Sequence, residues 1–246
     1  MFQPASLKGD SPTPIDERLR NRYLFLYIVI IILSFIPCSL FEYWYFIKFW
    51  RSDFYWLFFL LLQFNILILI YILQFSSIIF SLLFLSIVKL LHKPKEGIFK
   101  RDISDKDYLY WNLRNLIKKW PLFILGSNPF PWFKNRFVLR FFGVKIGKKS
   151  ICDNSWISSE FVSVGKNVII GMNSTILSFG IEQDSFFIKK IVIDDSVLIG
   201  AKCVLLPGTI MKKGAKLSAH SYTSVGDILE EDTVYMGHPA KVKNYN

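Results

Sequence analysis

Cysteine is scarce in this 246-residue chain. Cys38, Cys152 and Cys203 are the full set of three, with no CxxC pair. An odd count at that spacing argues against a disulfide framework and against a thiolate metal site. Histidine is as scarce, also at three, which leaves little material for an imidazole metal centre. Acidic residues number 19 against 30 Lys and Arg, a net charge of +11. Nucleic acid is not the expected partner, because the basic residues gather just after an apolar block, where anionic lipid headgroups would be met. The N-terminus also lacks the form of a cleaved signal peptide. It is polar and Pro-containing, and no A-x-A-type site closes the apolar run that follows.

What the chain has in excess is apolar residues: 52% hydrophobic and 17% aromatic, with a mean hydropathy of +0.35. The excess lies before residue 92, which points to membrane spans rather than to a greasy core. A first run from Tyr23 to about Phe46, containing Pro37 and Glu42, is long enough for one crossing at roughly 20 residues per span. Trp44, Trp50, Tyr55 and Trp56 bracket a polar turn with Lys48, Arg51 and Asp53, as an interfacial aromatic belt would. The second run, Phe54 to Leu91, carries no charge until Lys89. It reads as one tilted helix or as two short spans. Arginines 18, 20 and 22 precede the first run and a dense basic stretch follows the second. Both ends are therefore expected in the cytoplasm, which two crossings satisfy.

The expected organisation is a cytoplasmic segment 1–22, a transmembrane region 23–92 with two helices, a basic and aromatic connector 93–145, and a repeat domain 146–246. In the connector, Leu109, Leu113, Leu116 and Trp120 share one helix face, Arg114 and Lys118 lie on another, and Pro121 ends the pattern. A second amphipathic stretch, Trp132 to Phe142, sets Lys134, Arg136 and Arg140 among Phe133, Phe137 and Phe141. It suits a platform at the headgroup layer, binding anionic lipid, and equally a connector packed beneath the repeat domain.

In the C-terminal half every sixth residue falls into register: Ile193, Ile199, Leu205, Met211, Leu217 and Thr223. Small or compact residues recur four places later, at Val197, Cys203, Thr209, Ala215 and Ser221. Neither a helix nor a strand period produces this. A hexapeptide period is that of a left-handed parallel β-helix, with the aliphatic residue inside the prism and the small one near a corner. An earlier register runs Ile146, Cys152, Ser158, Val164, Ile170 and Ile176, a loop at 182–192 breaks it, and it resumes one residue out of phase. About four coils result. So short a solenoid needs partners or caps, and a homotrimer is expected.

The runs IGAKCVLLPGTI and GHPAKVK resemble the closing coils of the hexapeptide-repeat acyltransferase superfamily, with Pro207-Gly208 as its P-G turn and Gly237-His238-Pro239-Ala240-Lys241 as its terminal G-x-P-A-K. The upstream runs KPKEGIFKRD, YLYWNLRNLIKKW and RFVLRFFGVKIGKKS are similar to the membrane-embedded C-terminal region of polylysine-synthetase-like non-ribosomal peptide synthetases. The superfamily resemblance implies a trimer that takes acetyl- or another acyl-CoA between neighbouring β-helices. Ala201 and Ala219 would then present backbone groups to the pantetheine arm, Pro207 and Gly208 would shape the adjacent turn, and Lys241 would face the nucleotide phosphates. Plain corner geometry is the competing reading for Pro207 and Gly208, and a solvated tail for Lys241.

Acyl transfer needs a proton acceptor. Many members of the superfamily carry a histidine just ahead of the loop; here that stretch reads Ser178-Phe179-Gly180-Ile181-Glu182-Gln183-Asp184, without one. His220, on a coil beside the expected donor groove, is the first candidate base, and Glu182 and Asp184 are its substitutes. His92, at the membrane boundary, reads as interfacial and His238 as a surface residue. The β-helical carbonic anhydrases hold zinc with three histidines, and His220 alone lies on the coils, so no metal is expected. These features suggest an acyltransferase anchored in the cytoplasmic membrane, with the β-helix on the cytoplasmic side and an amine or hydroxyl of a lipid-linked or membrane-proximal acceptor as its target. Two other readings stand beside it: an inactive trimeric scaffold, and a module that handles aminoacyl or peptidyl groups for a peptide synthetase.

Overall fold

In hydrocarbon an apolar run can satisfy its backbone polar groups only within itself, as a helix, and the computed structural model makes helices of both apolar runs. Its described residues are 21–50, 55–126, 128–130, 133–152, 154–182 and 185–243. Residues 1–20, Arg51, Asp53, Trp132 and Asp184, which figure in the expectations above, lie outside them. The chain divides into two units, one of Leu19–Lys93 with Asn112–Ser127 and the other of Pro94–Trp111 with Asn128–Asn246.

In the first unit α1 (Asn21–Tyr45) carries Pro37 inside it and continues through a π-helical turn at Phe46–Trp50. A single turn, α2 (Trp56–Leu60), leads into α3 (Leu62–Leu91). The second apolar run is thus a single turn followed by one helix of 30 residues, about 45 Å at ~1.5 Å per residue. Two helices, Tyr23–Trp50 and Leu62–Leu91, are long and apolar enough to cross a membrane. Burial in α3 is partly inverted relative to a water-soluble helix. Its buried positions are Asn65, Gln74, Ser76, Ser77 and Ser81 together with Ile78, Leu85 and Val88, while Phe64, Ile66, Leu67, Ile70, Ile79 and Leu83 are exposed. Polar groups join the helices: Ser76 Oγ donates to Ser34 O at 2.7 Å, and Asn65 Nδ2 donates to Glu42 Oε1 at 2.6 Å.

Pro121 does not end the connector helix. The helix α4 (Lys106–Gly126) runs through it. A proline removes the N–H that would bond the carbonyl four residues back, here that of Ile117. Ser81 Oγ donates to that carbonyl at 3.2 Å, so the freed acceptor has a partner. Arg114 and Lys118, expected on a face apart from the apolar one, are buried.

The second unit begins with β1 (Gly97–Lys100). Asp105 then caps the start of α4, its Oδ1 accepting from the N–H groups of Asp107 and Tyr108 at 2.8 and 3.2 Å. A π-helical turn at Phe133–Val138 passes into α5 (Leu139–Phe142). Val138, Leu139 and Phe142 are buried. Asn135 Nδ2 bonds the carbonyls of Cys152 and Ser155 at 2.6 and 2.7 Å, so this helix is stapled to the first coil.

Short strands follow: β2 (Lys145–Ile146), β3 (Trp156–Ile157), β4 (Val162–Val164), β5 (Ile169–Ile170) and β6 (Thr175–Ile176). A hairpin of β7 (Phe179–Glu182) and β8 (Ser185–Ile188) interrupts them. Then come β9 (Ile191–Ile193), β10 (Leu198–Ile199), β11 (Val204–Leu205), β12 (Ile210–Met211) and β13 (Lys216–Leu217), and finally β14 (Ile228–Leu229), β15 (Val234–Gly237) and β16 (Ala240–Val242). They stack as three parallel faces: a first of β2, β4, β9, β12 and β14, a second of β5, β10, β13 and β15, and a third of β3, β6 and β11. These coils form a three-faced parallel β-helix. The inward column of the first face, Ile146, Val164, Ile193, Met211 and Leu229, marks four coils, as the hexapeptide register leads one to expect. Val197, Cys203, Thr209, Ala215 and Ser221 are all buried.

Two details differ from the sequence reading. Ile157, not Ser158, pairs with Ile176 and points inward. The larger aliphatic side chain fills the prism, and the chain recovers its phase at a turn where Phe161 has φ 56°. The expected loop at 182–192 is mostly strand. The hexapeptide register breaks at Phe179, β7 and β8 pair antiparallel, and β1 covers the outer edge of β8. Tyr108, Phe186 and Ile188 are buried there, packed with Phe99, Trp111, Phe161 and Phe179. Paired backbone on both sides of β8 together with this aromatic core makes a layer of its own.

Candidate active site

The hexapeptide period sends the chain round three corners per coil, and two of these corners carry the expected donor residues. Gly200 through Cys203 turn from the second face to the third, and Ser218 through Ser221 repeat that turn one coil later. Coils approach closely here: a Cβ on Gly200 would overlap the backbone nitrogen of Ala219, and one on Gly171 would overlap Ala201. Only glycine fits these positions. Ala201 and Ala219 are thereby stacked on neighbouring coils, Ala201 half-buried and Ala219 exposed.

His220 occupies the left-handed position of the same corner, with φ 59°. Its N–H donates to Ala201 O at 2.9 Å. Lys202 holds the equivalent place one coil earlier with φ 55°. The imidazole of His220 is exposed. A base is held in one tautomer by a bond to its second ring nitrogen, which for His220 an acceptor substrate or a neighbouring subunit would have to provide.

Pro207 and Gly208 form the next corner, from the third face to the first. Pro207 is buried and its carbonyl accepts from Gly226 N at 3.0 Å. Gly208 has φ 82°, which glycine adopts without strain. Both residues therefore satisfy plain corner geometry.

The G-x-P-A-K run is the link of a terminal hairpin, with β16 antiparallel to β15 and Lys241 opposite Met236. Lys241 is exposed. Two residues, Ser221, expected only as a small corner residue, and Tyr222, tie this hairpin to the corner of His220. Ser221 Oγ accepts from Gly237 N at 3.0 Å, and Tyr222 exchanges backbone bonds with Gly237 O and Ala240 N at 3.2 and 2.7 Å. The Tyr222 and His238 rings meet edge to face at 5.4 Å. A small residue at 221, in phase with the hexapeptide corner, was the available signal. His92 closes α3, its N–H bonding Val88 O at 2.9 Å.

The structure thus brings Ala201, Ala219, His220 and the terminal motif into one hydrogen-bonded neighbourhood. Glu182 is placed elsewhere, opposite Ser185 at the exposed tip of the hairpin that leaves the corner between the third and first faces. Phe179, within the histidine-free stretch 178–184, packs on Trp111 at 4.7 Å and Trp156 at 6.4 Å. No group of three or more His, Cys, Asp or Glu that could hold a metal occurs among the described residues.

Cys203 is fully buried at the corner, with Sγ 3.1 Å from Ser218 O. Burial pushes its thiol pKa up, which keeps it neutral and unreactive. At pH 8 the folded protein should leave Cys203 unmodified by iodoacetamide, and denaturation should expose it; peptide mass mapping reads both states. The stability linked to this thiol is present below its ordinary pKa and is lost as pH rises through the raised value.

No family model matches the chain. A Bacillus subtilis (strain 168) protein named "Putative acetyltransferase YvoF" is 37% identical over 100 residues, which are 39% of this chain and 58% of that protein. The chain resembles the hexapeptide-repeat acetyltransferases. Similar solved structures include a hexapeptide-repeat containing acetyltransferase, VCA0836, from Vibrio cholerae, with 18% identity and a TM-score of 0.41 over 50% of this chain and 85% of that one. A galactoside acetyltransferase in complex with coenzyme A has 17% identity and a TM-score of 0.43 over 52% and 78%.

Proposed function

We propose that the protein is a membrane-anchored acyltransferase that takes its acyl group from acetyl-CoA or another acyl-CoA. The observation that carries this reading is the corner where Ala201 and Ala219 stack beside His220, bonded through Ser221 and Tyr222 to the terminal G-x-P-A-K turn. An extended pantetheine arm with two amides suits backbone groups at such a corner. Lys241 is a compact counter-charge for the nucleotide phosphates. In the reaction the acceptor amine or hydroxyl attacks the thioester carbonyl and gives up its proton to the base. The tetrahedral oxyanion collapses, the C–S bond breaks, and CoA leaves as the thiol after taking up a proton. His220 is the proposed base, and Glu182 and Asp184 are its substitutes.

Membrane anchoring is supported by the burial of α3, where Asn65, Gln74, Ser76, Ser77 and Ser81 are inside while many of its large apolar side chains are exposed. We place the spans in the cytoplasmic membrane with the β-helix on the cytoplasmic side, where acyl-CoA is present, and the acceptor on a lipid-linked or membrane-proximal molecule. Transfer of label from [14C]acetyl-CoA tests this. Label in the organic phase of a membrane extract is expected, and label confined to free acetate would refute it.

A homotrimer is part of the proposal. Ile151, Ile169 and Leu198 form an exposed aliphatic ladder on the second face, at 50%, 44% and 41% exposure, and such a patch suits a neighbouring copy. Ile169→Lys with Leu198→Lys should convert the trimer to monomer by light scattering in detergent and abolish CoA binding. A trimer that persists would move the interface to another face. One observation favours an inactive scaffold instead: the stretch 178–184 holds no histidine, and Phe179 within it is committed to an aromatic cluster.

A further inference from the structure

The helix spanning Phe133–Phe142 has one face sewn to the first coil and another that is half-buried at Phe133 and exposed at Phe137 and Phe141. Asn135, Val138, Leu139 and Phe142 are buried. On the other side Phe133 stacks on Phe137 and Phe137 meets Phe141 edge to face, with ring centroids 5.3 and 5.1 Å apart. Phe137 and Phe141 are 40% and 48% exposed. Lys134, Arg136 and Arg140 flank this stripe, and Lys145, Lys148 and Lys149 follow with no Asp or Glu from Phe133 to Cys152. Among the described residues none of these six cations forms an ion pair. Arg140 spends one N–H on Ile146 O at 2.7 Å, and the rest of its guanidinium remains available.

We infer that this face docks onto an anionic lipid surface, the phenylalanines entering the headgroup–acyl boundary while the basic side chains meet lipid phosphates. Two features select a bilayer over a protein partner. Protein interfaces are depleted of lysine and of charge at their centre, whereas this face interleaves cations with rings. An interfacial helix needs apolar rings on one side and Lys or Arg beside them, and a surface that offers both phosphate and hydrocarbon satisfies the two together. The inference rests on the membrane reading above and adds the recognition of lipid charge by the β-helix unit.

The test uses the full chain in nanodiscs of neutral phosphatidylcholine or of a mixture with phosphatidylglycerol, on a Cys38→Ser background. One sample carries an environment-sensitive fluorophore on Phe141→Cys, and a second carries it on Phe64→Cys in α3. Lipids doxyl-labelled on the acyl chain act as quenchers. We expect the label at 64 to be quenched in both lipids and the label at 141 only in anionic discs, with high salt releasing it. Each basic residue strengthens such binding roughly fivefold. Lys134→Gln with Arg136→Gln should therefore shift the docking equilibrium by roughly 25-fold and abolish quenching at 141. If 64 is quenched and 141 is not quenched in either lipid, the docking inference fails while anchoring stands; if neither is quenched, anchoring itself fails. Equal quenching at 141 in both lipids would overturn the recognition of charge. A label shielded from aqueous iodide without lipid quenching would mean that a protein covers the face, which also overturns the inference.

Discussion

His220→Asn should lower the turnover of acyl transfer by about 10²–10⁴-fold, the usual contribution of a positioned general base, with little change in acetyl-CoA affinity. Asparagine is the informative replacement because the site has φ 59° and asparagine tolerates that conformation better than alanine. A fall in turnover at constant affinity then reports lost chemistry rather than a distorted corner. The assay is transfer of label from acetyl-CoA into lipid, with donor affinity measured separately. Unchanged turnover would reduce His220 to a corner residue equivalent to Lys202. Glu182→Gln and Asp184→Asn would then be the variants to measure, and loss in neither would leave the scaffold reading.

Gly200→Val should be the most damaging single change in the β-helix. A Cβ at this position overlaps the backbone of the next coil at Ala219, so coils must part or the corner must refold. Overpacking by a movable side chain costs about 1–3 kcal/mol, and a collision with backbone exceeds that range. Gly226→Ala is the contrasting control. It places a side chain at a positive φ, 80°, which Gly200 does not have, but meets nothing within 4 Å, and should cost about 1–2 kcal/mol. Thermal unfolding of the two variants in detergent should rank Gly200→Val far below Gly226→Ala. Similar melting temperatures would contradict the close stacking of coils at this corner.

The β-helix was legible because its period is long and its inward positions are strict. Ile193, Ile199, Leu205, Met211 and Leu217 are all buried where the sixfold register put them. The register misled at Ser158, since a serine and an isoleucine sit side by side and only the volume of the prism chooses between them. Pro121 misled for a different reason. Proline is a strong breaker in isolation, and the hydroxyl that takes up its freed carbonyl comes from Ser81, on another helix. The hairpin of β7 and β8 was read as a loop because the partner of its outer edge, β1, lies about ninety residues earlier in the chain. At the candidate corner the repeat positions of Ala201 and Ala219 and the terminal G-x-P-A-K turn were legible one by one, their proposed roles aside. The link through Ser221 and Tyr222 that joins them was not, because hydrogen bonds between coils leave no mark in the sequence beyond a small residue at a corner.

Calorimetric titration of the detergent-purified protein with acetyl-CoA, with free CoA in parallel, tests the central claim most directly. The account predicts saturable binding of acetyl-CoA near one site per chain, lost in the Ile169→Lys, Leu198→Lys variant. Absence of binding by acetyl-CoA and by longer acyl-CoAs, with the protein folded and oligomeric, would contradict it and leave a scaffold built on the same coils.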